Sequence, residues 1–199
     1  MFSYLSPETG ERWKIALIPR DGGEPKILIP EAGFDPNWSP DGSRIVYAPL
    51  LGEARGDKAR VFILDLPSEK ISAVPGSQDL WSPRWSPDGK YLTAYTPDGE
   101  IIKLFEFSSA RWTDLSRFGI GHPRWSQDGK YLQGNRSEGE SFGIYRLHIP
   151  DGKLEKVYDL TGINCAGNMW PWAGSTPDGD PLILENRGYN EIYALDLEY

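Results

Sequence analysis

One serine stands in a pattern that nucleophilic enzymes use. Residues 139–143 read Gly-Glu-Ser-Phe-Gly and fit G-x-S-x-G, the elbow that presents a serine Oγ in α/β-hydrolases. The elbow needs a strand before the serine and a helix after it, and the triad needs an acid and then a histidine later in the chain. Whether Ser141 is a nucleophile therefore depends on the elements around it.

The residues that follow Ser141 do not predict a helix. Apolar and polar side chains alternate over residues 144–149, which is typical of a β-strand. His148 is the only histidine after Ser141, and it lies within this same strand. We therefore interpret residues 139–143 as a glycine-rich hairpin loop and predict that Ser141 is not catalytic.

Composition indicates a globular domain and excludes several functions. The chain has 199 residues, of which 39% are hydrophobic, and its net charge is -8 without any run of Lys and Arg. Nucleic acids and anionic membrane surfaces are therefore unsuitable partners. Cys165 is the only cysteine and there are only two histidines, so we expect no intrachain disulfide, no zinc site and no cofactor. No apolar segment is long enough to predict a membrane span, and no signal peptide is visible to indicate a compartment.

A repeated segment organises the chain. Three copies read PNWSPDGSRIVYA from Pro36, PRWSPDGKYLTAY from Pro83 and PRWSQDGKYLQGN from Pro123, and a weaker fourth copy, GSTPDGDPLILEN, starts at Gly174. Their aspartates recur after 47, 40 and 50 residues, the period of a four-stranded propeller blade, at Asp41, Asp88, Asp128 and Asp178.

Each unit predicts four strands, which we name a to d. Strand a ends in a tryptophan, Ser-Pro-Asp-Gly suits a type I turn, and an alternating strand b follows. After a polar loop come strand c and then strand d, and no window of helical length shows a 3.6-residue period. The sequence therefore predicts an all-β fold, a β-propeller of four-stranded antiparallel blades.

The chain divides into three complete blades and two partial ones. The complete blades are predicted at 31–76, 77–117 and 118–161, with strands b, c and d at 1–30 and strands a, b and c at 162–199. Because the two partial blades would overfill one blade, we expect the last part of a longer propeller rather than an irregular five-bladed ring. Open strand edges invite pairing, so a homodimer through the partial blades is favoured over an irregularly closed monomer.

The WSPDGK units resemble the PD40 repeats of TolB-like propellers, a branch of the WD40-like group. The last 25 residues are similar to the C-terminal blade of TolB-like proteins in which the propeller follows a regulatory or kinase-like domain. Two departures are Gln127, which replaces the turn proline, and Ser175, which stands in place of the tryptophan. The resemblance implies a bacterial binding or scaffolding module, often periplasmic or otherwise extracytoplasmic, and it implies no catalysis.

The loops from strand d to the next strand a predict a binding surface at the channel mouth. They span residues 76–84, 116–124 and 161–173, and Asn37 occupies the position of Arg84 and Arg124 in its own unit. Aromatic residues and arginine dominate binding hot spots, and two arginines at equivalent positions would suit a carboxylate. The alternative is that both arginines pair with acidic neighbours such as Asp79. The candidate ligand-binding residues are Asn37, Trp81, Arg84, His122, Arg124, Asn168, Trp170 and Trp172.

These observations predict a non-enzymatic binding or scaffold module that recognises a protein segment or peptide. Three alternatives stay open at this point. The chain could be the substrate-gating propeller of a serine peptidase whose catalytic domain is absent here, the sensor domain of a bacterial regulatory protein, or a structural spacer without a ligand. The fold does not choose among them, because unrelated functions share propellers.

Overall fold

The computed structural model describes residues 2–6, 12–30, 33–50, 52, 59–164, 172–176, 178–186 and 188. These residues form strands and no helix, so no membrane-spanning helix occurs among them. The strands are β1 (Phe2–Ser6), β2 (Arg12–Leu17), β3 (Lys26–Ile29), β4 (Phe34–Trp38), β5 (Arg44–Ala48), β6 (Phe62–Asp65), β7 (Lys70–Ala73), β8 (Trp81–Trp85), β9 (Tyr91–Tyr95), β10 (Ile102–Glu106), β11 (Arg111–Ser116), β12 (Gly121–Trp125), β13 (Tyr131–Glu138), β14 (Ser141–His148), β15 (Leu154–Asp159), β16 (Trp172–Ser175) and β17 (Pro181–Ile183).

Consecutive strands pair antiparallel and form five sheets. Sheet I contains β1 to β3, sheet II β4 to β7, sheet III β8 to β11, sheet IV β12 to β15, and sheet V β16 and β17. Sheets II, III and IV each have four strands in chain order, which is the meander of a propeller blade. The predicted fold class, an all-β propeller of four-stranded antiparallel blades, is confirmed.

The repeated turn starts the second strand of each four-stranded sheet. In sheet II, Asp41 Oδ1 accepts hydrogen bonds from Ser39 Oγ at 2.5 Å and from Ser43 N at 3.1 Å. The Gly42 N–H donates to Ser39 O at 2.9 Å, and its φ of 69° favours glycine. Serine and aspartate make the same contacts in the turn that contains Gln127. This turn therefore forms without its proline.

The core lies between successive sheets. Val46 of sheet II and Val61, directly before β6, pack with Trp85, Leu92 and Phe105 of sheet III. A second cluster joins sheets III and IV, and a third joins sheets I and II. Each sheet therefore covers a face of the next one.

The first strands of sheets II, III and IV lie close together. β8 contacts β4 and β5 of sheet II and also β12 of sheet IV, whereas β9, β10 and β11 lie farther from both neighbouring sheets. β4, β8 and β12 are therefore the inner strands, nearest the propeller axis, and residues on them are the ones that neighbouring blades bring together.

Candidate functional site

The same irregularity interrupts each inner strand. The pairing register shifts between Phe34 and Asn37 in β4, and the equivalent shifts occur in β8 and β12, so each strand contains a β-bulge. The residue before each bulge proline has a left-handed φ, which is uncommon for any residue except glycine. These residues are Asp35 at 49°, Ser82 at 52° and His122 at 47°. Backbone strain that recurs at equivalent positions marks this region as a candidate site.

An open cleft of about 810 Å³ lies along the inner strands, and we call it the axial cleft. Its lining residues come from four first strands and the turns that follow them: 35–38 and 40, 84–87, 122–125 and 127, and 175–176. The cleft therefore brings together four of the predicted binding residues, namely Asn37, Arg84, His122 and Arg124.

Arg84 is held by an ion pair across two sheets. Its Nη2 lies 2.9 Å from Asp35 Oδ1 and 2.9 Å from Asp35 Oδ2. Ser82 Oγ donates a hydrogen bond of 2.6 Å to Asp35 Oδ2. Arg84 therefore pairs with an acidic residue, as the alternative expected, but the partner is Asp35 and not Asp79. The charge of Arg84 is thus compensated inside the protein.

Asn37 also connects neighbouring sheets. Its Oδ1 accepts a hydrogen bond of 2.7 Å from the Trp85 N–H, so this side chain joins β4 to β8. A similar link runs from Trp125 Nε1 to Arg84 O, at 3.3 Å, and joins β12 to β8. Asn37 therefore forms the wall of the axial cleft and fixes the spacing of its inner strands.

His122 and Arg124 are the predicted residues that face the open part of the cleft. Part of the His122 ring is exposed, and desolvation by the surrounding protein lowers its pKa. The charge of Asp35 opposes this shift, whereas the charges of Arg84 and Arg124 add to it. His122 is consequently neutral at pH 7.

Arg124 is exposed, and no described residue compensates its charge. Within the described parts of the chain, its side chain has no ion-pair or hydrogen-bond partner. Its guanidinium rests against the backbone of Gly174, where a Cβ atom in place of the glycine hydrogen would stand 3.4 Å from Arg124 Nε. The donors of Arg124 are therefore available to a ligand in the axial cleft.

Trp81 does not line the axial cleft. It lines a separate apolar cleft of about 300 Å³ together with Leu80, Pro49 and Pro97. Its Nε1 donates to Thr96 O at 2.9 Å. Of the remaining predicted residues, Asn168 and Trp170 lie outside the described residues, and Trp172 is the first residue of β16.

Sequence reasoning missed two residues of this site, Asp35 and Ser82. Both stand two residues before the position of Arg84 in their own repeat, the position that His122 occupies in the third copy. The sequence carries a signal for them, since all three stand directly before the proline of their repeat, and each lies within a bulge. Among the described residues, no group of three or more His, Cys, Asp or Glu could hold a metal ion.

The surroundings of Ser141 do not resemble a nucleophile elbow. Ser141 and His148 are the first and last residues of β14, so at roughly 3.3 Å per residue they stand roughly 23 Å apart. Lys156 Nζ donates to Ser141 Oγ at 2.5 Å and to Asp159 at 2.8 Å. The hydrogen bond to Asp159 raises the pKa of Lys156, although desolvation opposes it. A protonated lysine cannot accept the proton of a hydroxyl group, so Lys156 is not a base for Ser141.

No family model and no curated protein matches the sequence. Among solved structures, TolB from Acinetobacter baumannii is 21% identical with a TM-score of 0.68, covering 89% of this chain and 44% of that one. A protein designated TolB from Agrobacterium tumefaciens is 18% identical with a TM-score of 0.70, covering 92% and 68%. An oligogalacturonate lyase in complex with manganese is 17% identical with a TM-score of 0.60, covering 88% and 55%.

These similarities concern the fold alone, because the identities are low. The chain spans less than half the length of the Acinetobacter TolB. Its succession of four-stranded sheets matches both TolB structures over about nine tenths of its own length. The chain therefore has the fold of the TolB-like β-propellers, as its repeats suggested.

Proposed function

We propose that this chain is a non-catalytic binding module that holds an extended protein segment in the axial cleft. The observation that carries the proposal is the cleft itself, an open space of about 810 Å³ between inner strands of successive sheets. Ligand sites commonly have volumes of about 300 to 1,000 Å³, which is enough for several residues of an extended chain.

The walls of the cleft combine the residue types of protein interfaces. Trp38 lines the cleft and is 38% exposed, so its ring is available for contact. Pro36 and Pro87 provide rigid apolar surface, and Arg124 provides hydrogen-bond donors. Exposed tryptophan and arginine are the residues that contribute most to binding energy at interfaces.

The polar groups of the cleft support a binding role rather than catalysis. Ser82 Oγ donates its hydrogen bond to Asp35, a carboxylate that Arg84 already neutralises, and not to a histidine base. Hydroxyl nucleophiles require such a base within hydrogen-bond reach. The lysine beside Ser141 is protonated, so this serine lacks activation from that neighbour as well.

A peptide screen tests the proposal. The full chain is probed with an array of random heptapeptides, and affinities of the bound peptides are measured by fluorescence anisotropy. We expect Trp38→Ala to weaken binding by at least about tenfold, since a large aromatic contact is lost. The matched control is Ile71→Ala, which removes an apolar side chain that is 46% exposed on β7, away from the cleft.

Ile71→Ala should bind the peptides as the unaltered chain does. The proposal fails if no peptide binds saturably, or if Trp38→Ala binds as tightly as the control. Circular dichroism of both variants shows whether a loss of binding reflects a loss of folding.

A further inference from the structure

We propose that the protein segment bound in the axial cleft carries an acidic side chain, and that Arg124 is the residue that selects it. This inference rests on the proposed function, because it specifies the chemistry of the segment that the cleft binds. The argument starts from the charges that line the cleft.

Among the described lining residues of the cleft, only one full charge is uncompensated. Those with ionisable side chains are Asp35, Arg84, His122 and Arg124. Asp35 and Arg84 neutralise each other at 2.9 Å. His122 is neutral at pH 7, because desolvation lowers its pKa. Arg124 therefore gives the cleft a net positive charge.

The position of Arg124 makes its guanidinium accessible. The residue is exposed on β12, and its side chain lies against Gly174 of β16. Gly174 is buried and has no side chain, so its backbone leaves space for the flat guanidinium beside it. A planar guanidinium supported on one face presents its N–H groups along its edge, which matches the geometry of a carboxylate.

The net charge of the whole chain is opposite in sign to the charge of Arg124. The chain carries a net charge of -8, so most of its surface repels an acidic segment. A single cation in a concave site then determines where such a segment binds. Arg84 and Arg124 thus differ in role although they occupy equivalent positions of the repeat. Arg84 joins two sheets, and Arg124 contacts the ligand.

The test compares paired peptides. An array carries heptapeptides with blocked termini, each made twice, with Glu or with Gln at the central position. The full chain should bind the Glu member about tenfold more tightly, as expected for a charge-assisted hydrogen bond. Arg124→Gln should bind both members equally and at the affinity of the Gln peptide. Arg124→Glu should prefer matched peptides with central Lys.

The matched control is Arg117→Gln, which removes the same charge from an exposed position in the connection between β11 and β12, outside the residues that line the cleft. It should keep the preference for Glu. Equal binding of Glu and Gln peptides by the unaltered chain overturns this inference but leaves the proposed function standing. Absence of peptide binding rejects both. If free glutarate binds as tightly as the Glu peptides and depends on Arg124, the ligand is a small carboxylate, and the inference is also rejected.

Discussion

Asp35 and Arg84 join the inner strands of two successive sheets through contacts of 2.9 Å from one guanidinium nitrogen to both carboxylate oxygens. The side chains are 26% and 12% exposed, so water screens this ion pair only in part. A residue within the bulge of one blade thus binds the residue that follows the bulge of the next. A pattern that looks like a repeated ligand site serves, at this position, to connect blades.

Asp35→Asn should therefore lower the stability of the fold. Losing the carboxylate leaves the Arg84 charge partly buried without its partner, so we expect the free energy of unfolding to fall by about 2 kcal/mol. Urea denaturation of Asp35→Asn, Arg84→Gln and the double variant measures the coupling. The double variant should lose less than the sum of the single losses. Strictly additive losses would show that the two side chains do not interact.

Equivalent tryptophans should differ in their contribution to stability. Trp85 is 5% exposed, stacks on Phe107 at 5.3 Å and lies under the Arg44 guanidinium of the preceding sheet at 4.9 Å. Trp38 ends the inner strand of its own sheet in the same way but is 38% exposed. We expect Trp85→Ala to cost about 3 to 5 kcal/mol and Trp38→Ala at most about 1 kcal/mol. Chemical denaturation with tryptophan fluorescence compares them, and similar losses would contradict the burial difference.

The turn aspartates should make stability sensitive to acid. The Ser39 hydroxyl and the Ser43 amide donate to Asp41 and lower its pKa from 3.8 to about 2. The Ser126 hydroxyl lowers the pKa of Asp128 in the same way. A carboxylate whose pKa is lowered in the folded state stabilises the fold above the unfolded pKa, and this contribution is lost as the pH falls through the folded value.

Thermal unfolding between pH 5 and pH 2 tests this expectation. The melting temperature of the unaltered chain should fall most between about pH 4 and pH 2, the range between the unfolded and folded pKa values. A variant with Asn at positions 41 and 128 should show a shallower fall, because two of the titrating groups are gone. Parallel profiles for the two proteins would exclude these turns as the source of acid sensitivity.

The fold could be predicted from sequence because its signals are local. Each turn is made by residues within six positions of one another, from Ser39 to Arg44 in the first copy. Apolar and polar side chains alternate within each strand, which is also a local pattern. The site was predicted in part. Asn37, Arg84, His122 and Arg124 share a cleft because equivalent positions of a repeat meet near the axis.

The remaining features depend on contacts between distant residues. Asp35 is separated from Arg84 by 49 positions, so the twist between sheets, and not a local pattern, decides that they meet. Trp81 precedes the bulge of β8 and Arg84 follows it, and this irregularity places them in different clefts. No repeating pattern in the sequence indicates that two residues of one five-residue strand line different clefts.

Ser141 should remain unmodified by a fluorophosphonate probe. Its Oγ accepts a hydrogen bond from Lys156, whose pKa is raised by Asp159, so no proton acceptor activates it there. Mass spectrometry after incubation with the probe gives the readout, with Ser141→Ala as the matched control. Both proteins should keep their unmodified mass. Stoichiometric labelling of the unaltered chain that disappears in Ser141→Ala would establish a nucleophile and contradict our interpretation of residues 139–143.

The chain expressed alone should form a dimer through its first and last sheets. Leu182 of β17 and Leu184, just after this strand, are 47% and 54% exposed, and Ile27 of sheet I is 44% exposed. Apolar side chains that a neighbouring blade does not cover favour association with a second copy. Light scattering should give about twice the chain mass of 22.4 kDa. Leu182→Lys should shift the mass towards the monomer, because a buried contact would then contain a charge, whereas Ile71→Lys on β7 should not. A mass of one chain at every concentration would reject the dimer.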